Sequence, residues 1–438
     1  MKTVRFLNVA ILFLCMAAVA AGAQKSANKT PSSEHRLISV KVTGTERYTE
    51  KEIIAASGLA IGQNVDDPDF KEAVRRLGNS GVFTEVSYSF TYSAAGTKLE
   101  MQLKDADKKN FVPAHFENFV WFTDAELTAE LQRRVPLFKP ELPVSGTLPD
   151  DVSQALQGML NAKQIPGQVD YLRETPEEGG EMIAMAYRVE AMSITIEQVD
   201  FPGAGPDELP RLRAVGQKII GAHYFRSSLE KVAEVDFLPV YLQRGYLKAG
   251  FAPSQAHVLK QNEGEVEVEA QFPVAPGKVY TVSAVDWSGN SAVPTAQLQP
   301  LIHLPVGQPA DAMRLKHDLE TVTKAYHSKG YMVAHVRPEA EMNDEINTVR
   351  YTLHVSEGDQ YKMGELELLG LDSQSTARLQ EAWGLHPGDP YNADYPNQFL
   401  DANTKLLPGG VRWGINIHDT LNEKDKTVDL TIRFTPRA

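Results

Sequence analysis

The chain repeats one phrase at an almost constant spacing. The stretches "YLQRGYLKAGF" (241–251) and "YHSKGYMVAHV" (326–336) share an aromatic residue, three further residues, Gly-Tyr and an alternating apolar run. Alignment on the glycine of this phrase adds three weaker matches, so that the aligned positions are Gly81, Gln164, Gly245, Gly330 and Gly410. Steps of 80 to 85 residues between these positions indicate a repeated unit. The fold must therefore be built from copies and not from one large core.

Each unit follows the same order of sequence patterns. An alternating segment typical of a strand opens each unit, at 37–44, 115–122, 193–203, 279–289 and 363–370. A helical segment, a Gly-rich turn and a second helical segment follow, and the aligned glycine is expected to end this second helix as its left-handed C′ residue. Two alternating runs close the unit. The pattern therefore predicts the order strand, helix, helix, strand, strand.

The repeat predicts an α+β fold, namely a tandem array of five β-α-α-β-β domains. Each domain is expected to hold a three-stranded sheet that two helices cover. The predicted boundaries are 36–106, 107–191, 192–275, 276–359 and 360–438. The second unit departs from the pattern, because Gln164 replaces the glycine and a Pro-rich insert occupies 136–149.

The N-terminus reads as a secretory signal peptide over residues 1–23. Lys2 and Arg5 form a basic region, an apolar stretch follows, and Ala21-Gly22-Ala23 is a cleavage signal. An uncleaved membrane anchor is the alternative, which the short apolar stretch disfavours. Residues 24–35 are expected to be a flexible leader.

Composition excludes several kinds of site. The single cysteine, Cys15, lies in the signal, so the mature chain is expected to hold no disulfide and no thiolate nucleophile. Without the signal, 42 Lys and Arg stand against 57 Asp and Glu, with no basic cluster. Nucleic acid and anionic lipid surfaces are therefore poor partners.

No enzyme motif is present in the sequence. The eleven histidines are scattered, and no H-E-x-x-H, phosphate-binding glycine loop or G-x-S-x-G elbow occurs. His335 and His354 are placed to face each other across two strands but lack a third ligand. The pairs at 66–67 and 150–151 are acidic and are interpreted as helix-start residues. We expect no enzyme, no catalytic residue, no cofactor and no metal site.

The repeated signature resembles a known module. It consists of V-x-G after the first strand, G-x-x-x-G between the helices, Y-x-x-x-G-Y into the second strand, and V-S-E-G at 355–358. This combination resembles the POTRA domain, the periplasmic module of BamA-type and TamA-type outer-membrane proteins, over roughly residues 36–436. Proteins of the BamA type continue into a transmembrane β-barrel, whereas this sequence stops at the last predicted strand. The expectation is a barrel-less array, with a fragment of a longer barrel protein as an alternative.

The resemblance implies binding of extended peptides along the second strand of each unit. A sheet edge offers unpaired backbone groups to which a peptide can add as a further strand. The expected edges are 82–90, 168–172, 251–258, 332–337 and 411–417, and Pro253 and Pro338 are expected to weaken two of them. The candidate residues are Val82, Thr84, Val86, Tyr88, Gln168, Asp170, Val333, His335, Val411, Trp413 and Ile415.

The resemblance also implies a place and a set of partners. The expected partners are unfolded or nascent outer-membrane proteins, or a separate β-barrel or assembly subunit, and the expected location is the periplasm at the inner face of the outer membrane. The expected function is support of outer-membrane protein assembly, with no nucleic acid and no small-molecule substrate. An envelope scaffold that links folded partners without handling clients is the alternative from another class.

Overall fold

The computed structural model describes residues 33–176 and 180–437. The predicted signal peptide and most of the predicted leader lie outside these residues, and Ser33–His35 form a short 3-10 helix. Over the described ranges, no helix has both the length and the apolar character that a membrane span requires.

Five sheets of three or four strands follow one another along the chain, together with one two-stranded sheet. We call the five stretches that carry the larger sheets the first to fifth segments. The first segment contains β1 (Leu37–Thr43), α1 (Glu50–Ser57), α2 (Asp67–Asn79), β2 (Phe83–Ser93) and β3 (Gly96–Asp105). The second contains β4 (Phe111–Phe116), α3 (Asp124–Arg134), β5 (Glu141–Pro143), α4 (Leu148–Ala162), β6 (Gln168–Glu174) and β7 (Ala184–Glu190).

The fourth and fifth segments repeat the element order of the first segment, and the third has an additional helix and two additional short strands. The third contains β8 (Ser193–Asp200), α5 (Leu209–Gly216), α6 (Arg226–Val232), α7 (Leu238–Leu242), β9 (Gly250–Phe251), β10 (Gln255–Asn262), β11 (Glu265–Gln271) and β12 (Val274–Ala275). The fourth contains β13 (Thr281–Ser288), α8 (Thr295–Leu298), α9 (Ala312–His327), β14 (His335–Asn343) and β15 (Thr348–Ser356). The fifth contains β16 (Lys362–Leu369), α10 (Ser373–Ala382), α11 (Tyr395–Ala402), β17 (Arg412–Asn422) and β18 (Thr427–Arg437).

The strands β3, β7, β11, β15 and β18 each lie between two other strands of their sheets. In the first segment the order is β1-β3-β2, with β1 parallel and β2 antiparallel to β3. The sheets β8-β11-β10, β13-β15-β14 and β16-β18-β17 share this arrangement, and the second sheet runs β5-β4-β7-β6. The α+β prediction with several small sheets is confirmed, while the domain boundaries remain predictions.

By its internal contacts the chain divides into two compact units. One comprises the described residues up to 114, with 128–155 and 175–184. The other comprises 115–127, 156–174 and the described residues from 185 onward.

The core of the fourth segment shows how the alternating pattern is used. Val349, Leu353 and Val355 of the central strand β15 are buried, and Val322 and Tyr326 of α9 are buried in the same cluster. Burial of each such side chain contributes about 1.5–3 kcal/mol relative to exposure. The period of two on the strand and the three- and four-residue steps on the helix therefore meet in one core.

All five aligned positions adopt the left-handed backbone conformation. The φ angles are +85° at Gly81, +83° at Gly245, +88° at Gly330 and +77° at Gly410. Gln164 also has a positive φ, of +56°, although a side chain makes this conformation costly. The predicted left-handed conformation is confirmed at all five positions, but the C′ role is not. Gly81 and Gln164 lie two residues after the last residue of α2 and α4, whereas Gly245 and Gly330 lie three residues after α7 and α9. Gly410 lies beyond a separate 3-10 helix, Thr404–Leu406, that follows α11.

The first strand of the second segment differs from its prediction. The sequence pattern placed it at 115–122, whereas β4 ends at Phe116 and residues 119–122 form a turn closed by the Phe122 N–H and the Phe119 carbonyl. Residues 117–120 are all buried in succession, which no half-exposed strand allows. Val120 belongs to the core of the third segment, and this burial accounts for the departure from strand geometry.

Candidate peptide-binding edges

One outer side of each sheet is covered by the segment's own backbone. In the fourth segment, the loop between the helices runs beside β13. The Gly307 N–H donates to the Val282 carbonyl at 2.8 Å, and the Val282 N–H donates to the Gln308 carbonyl at 2.9 Å. The same two bonds join Gly62 and Gln63 to Leu37, Gly221 and Ala222 to Ile196, and Gly388 and Asp389 to Met363. We call this side of the sheet the covered edge.

The second segment covers the corresponding edge with a strand. Its Pro-rich insert forms β5, which pairs antiparallel with β4 so that Val112 lies opposite Leu142. The insert, which marked the second unit as a departure from the pattern, therefore takes the place that the loop takes in the other four segments.

The opposite outer side of each sheet is formed by the strand that directly precedes the central strand along the chain. The strands β2, β6, β10, β14 and β17 each occupy the last position in their sheets and pair with one neighbouring strand within the described residues. We call this side the open edge. It presents backbone N–H and C=O groups that an extended peptide can pair with.

The open edge of the first segment is long and free of proline. β2 spans 11 residues and carries an aromatic row on its helix-facing side. The ring centroid of Phe90 lies 4.9 Å from that of Phe70 on α2 and 5.0 Å from that of Tyr92. This row holds α2 beside the strand and leaves Tyr92 40% exposed. Apolar side chains of an added strand would meet an aromatic surface here.

A hydrogen bond fixes the middle of β2 against α2. The Tyr88 hydroxyl donates to Asp67 Oδ1 at 2.7 Å. Asp67 also pairs with Lys71, and these two contacts lower the pKa of the Asp67 carboxyl, Lys71 having the larger effect. The bond to Asp67 raises the pKa of the Tyr88 phenol. Tyr88 therefore stays a neutral donor and holds the strand in position.

The predicted residues of the first two edges occupy different environments. Val82 precedes β2 and is fully buried, so its side chain belongs to the core. Thr84 is exposed, and Val86 and Tyr88 are half-buried on the strand. Gln168 and Asp170 are exposed on β6.

The third edge is divided. The predicted stretch 251–258 contains the end of β9, a break at 252–254 that includes Pro253, and the beginning of β10. β9 pairs with β12 and not with the main sheet. A continuous strand over this stretch is therefore not formed.

A turn of the second segment also faces β10. The Trp121 indole N–H donates to Gln261 Oε1 at 2.8 Å. A cavity of about 620 Å³ lies between this turn and the strand, with Phe122, Ile165 and Val258 in its lining. The third open edge is thus partly screened by the chain itself.

The fourth and fifth edges begin later than predicted. Val333 and Val411 lie just before β14 and β17 and are exposed, and His335 is the first residue of β14. Trp413 is half-buried and Ile415 is exposed on β17. Pro338 lies within β14 opposite Leu353 and supplies no N–H. β17 has 11 residues and no proline, and it pairs with β18 from Arg412 to Asn422.

The two histidines of the fourth segment are not directly opposite each other, which corrects the expected arrangement. His335 pairs with Ser356, and His354 pairs with Arg337, so the two histidines are diagonal neighbours. The His354 ring instead contacts Glu339 at 2.7 Å. A slip of two residues in register accounts for the difference.

The acidic pairs have the expected structural role. α2 begins at Asp67 with Asp66 as its N-cap residue, and Asp150 and Asp151 lie in the first turn of α4. Carboxylates at these positions interact favourably with the helix dipole.

Contacts between successive segments were missed by sequence reasoning. The Gly245 carbonyl accepts from the Tyr280 N–H at 2.8 Å, and the Gly330 carbonyl accepts from the Tyr361 N–H at 2.7 Å. The glycine between the last helix of one segment and its next strand therefore contacts the residue that directly precedes the first strand of the following segment. The repeated tyrosine directly before the first strand, at 280 and 361, was the available signal.

Comparison with known proteins identifies part of this chain directly. Residues 280–358 match the family described as "POTRA: Surface antigen variable number repeat". This stretch holds β13, α8, α9, β14 and β15.

Several solved structures are also similar to the chain. POTRA domains 3–5 of BamA from Haemophilus influenzae match with 17% identity and a TM-score of 0.41, covering 55% of this chain and 95% of that one. POTRA domains 1–3 of Omp85 from Anabaena match with 17% identity and a TM-score of 0.26, covering 56% and 96%. CdiB from Escherichia coli matches with 15% identity and a TM-score of 0.21, covering 54% and 36%. Residues 280–358 therefore match the POTRA family, and the sheet order of this stretch, β13-β15-β14, recurs in the first, third and fifth segments.

Proposed function

We propose that this chain binds extended segments of outer-membrane proteins, or of a partner assembly subunit, by strand addition in the periplasm. The observation that carries the proposal is the asymmetry of the sheets, because one edge is covered by backbone hydrogen bonds while the other is open. The main chain supplies most of the affinity in this mode of binding, so the selectivity for sequence is low. Such binding suits clients that share an alternating pattern and no common sequence.

The edges differ in their expected use. The strands β2 and β17 are each 11 residues long and contain no proline, so we assign them the main role in peptide binding. The edge at β10 is screened by Trp121, and Pro338 interrupts the donors of β14. The candidate residues on the preferred edges are Thr84, Val86, Tyr88, Trp413 and Ile415.

A photocrosslinking experiment in cells tests this proposal. A crosslinking amino acid is placed at Thr84 on β2 and at Ile415 on β17, with control probes at Ser39 on β1 and Glu367 on β16. All four positions are exposed on outer strands, but the control strands form the covered edges. We expect nascent outer-membrane proteins to crosslink at 84 and 415 and to crosslink several-fold less at 39 and 367.

The result also separates the proposal from a scaffold function. Equal crosslinking at open and covered edges would contradict strand addition. Capture of one folded protein at all positions, without nascent clients, would support a scaffold that links envelope proteins.

A further inference from the structure

Three side chains of metal-ligand type converge beside the second sheet. His115 lies near the end of β4, Glu117 follows two residues later, and Glu174 is the last residue of β6. One ligand atom from each lies within 4.8 Å of the other two. His115 Nδ1 is 3.6 Å from Glu174 Oε2. Ligand atoms around a tetrahedral zinc ion at about 2.1 Å lie roughly 3.4 Å apart. The cluster is therefore within a small side-chain adjustment of a coordination geometry.

Glu117 gives independent support for a cation. Its residue is only 5% exposed, and Oε2 accepts from the Ser227 N–H at 3.0 Å and from the Ser227 hydroxyl at 2.9 Å. Within residues 33–176 and 180–437, it forms no ion pair with lysine or arginine. A buried carboxylate is costly unless a cation or a metal ion neutralises it.

We propose that His115, Glu117 and Glu174 bind a divalent transition metal ion, with zinc as the representative ion. Zinc accepts both imidazole nitrogen and carboxylate oxygen as ligands, and three protein ligands leave a position for water. Calcium prefers six to eight oxygen ligands and is a poor match for an imidazole. His115 and Glu174 are partly exposed, so both the ion and the water have access.

The site would act on the contact between the second and third segments. Glu117 also accepts the Arg226 N–H through its backbone carbonyl at 3.0 Å, so it holds the first turn of α6. A bound ion would neutralise this carboxylate and join the ends of β4 and β6 to it. Metal binding then stabilises this contact, since an ion that binds only the folded state raises its stability.

Calorimetric titration of the tag-free, chelator-treated mature chain with zinc chloride tests the proposal. We expect one zinc ion per chain, and no comparable binding of calcium chloride. His115→Ala should abolish the binding of this zinc ion, and Glu174→Gln should weaken the affinity for zinc by about tenfold or more. His317→Ala, at an exposed helical histidine outside the cluster, should bind zinc as the parent chain does.

Thermal unfolding supplies a second readout. Zinc should raise the unfolding temperature of the parent chain and of His317→Ala, and should not raise that of His115→Ala. Glu117 is left unchanged because it also holds α6. Absence of zinc binding in the parent chain, calcium binding of equal strength, or undiminished zinc binding by His115→Ala would each overturn the proposal.

Discussion

Replacement of Gly330 by alanine is expected to destabilise the contact between the fourth and fifth segments more than the same change at Gly410. Both residues have a left-handed φ, so both substitutions carry a backbone cost of about 1–2 kcal/mol. A Cβ at position 330 would lie 2.6 Å from the Tyr361 carbonyl oxygen and 3.1 Å from that of Tyr391. Among the described residues, apart from the two chain neighbours, no atom lies within 4 Å of a Cβ at position 410. The collision should add about 1–3 kcal/mol at position 330.

Hydrogen exchange measures this difference locally. The amide of Tyr361 donates to the Gly330 carbonyl, and the amide of Tyr391 donates to the Tyr361 carbonyl at 3.0 Å. These two amides should lose protection in Gly330→Ala and keep it in Gly410→Ala. Equal protection in the two variants would show that the contact at Gly330 contributes little to the stability of the array.

Removal of the hydroxyl group should affect stability differently at the two tyrosines of the repeated phrase, Tyr241 and Tyr326. The Tyr326 hydroxyl donates to Glu357 Oε1 at 3.0 Å, and Tyr326→Phe should cost about 1–2 kcal/mol. The Tyr241 hydroxyl is buried without a hydrogen-bond partner among the described residues. Burial raises the pKa of the Tyr241 phenol to about 12. Tyr241→Phe should therefore leave the stability unchanged or increase it, because an unsatisfied polar group is removed.

Opening free energies from native-state hydrogen exchange compare the two variants. Amides of β11 report on the third segment, and amides of β15 report on the fourth. The pair forms its own control, since both substitutions remove one oxygen from the same position of the repeat. A loss of stability in Tyr241→Phe as large as that in Tyr326→Phe would contradict the assigned contacts.

The sequence predicted those parts of the fold that are determined by the burial of side chains. The glycine period, the alternation in β15 and the helical stripe of α9 reflect burial, and burial leaves a pattern of residue types. The same reasoning misplaced the first strand of the second segment. Val120 packs into the core of the third segment, and the local sequence pattern of a unit does not record contacts with residues outside that unit.

The covered edges were not predicted from the sequence for a related reason. The loops beside β1, β8, β13 and β16 are held by backbone groups, and backbone groups are the same in every residue. Only the glycines at 62, 221, 307 and 388 marked these turns, through their left-handed φ. The sequence also indicates the candidate residues on the open edges only weakly. The proposed strand addition would use the main chain and would leave little selection on the side chains.

The covered edge has a consequence for how many strands one sheet can hold. A three-stranded sheet with two free sides could pair on both, and such sheets could then stack edge to edge into polymers. In the four segments whose own loop closes one side of the sheet, only the open edge remains for strand pairing, and under the proposed strand addition each such sheet would accept one added strand. A series of such sheets would then hold several lengths of an extended polypeptide without joining edge to edge into a fibre.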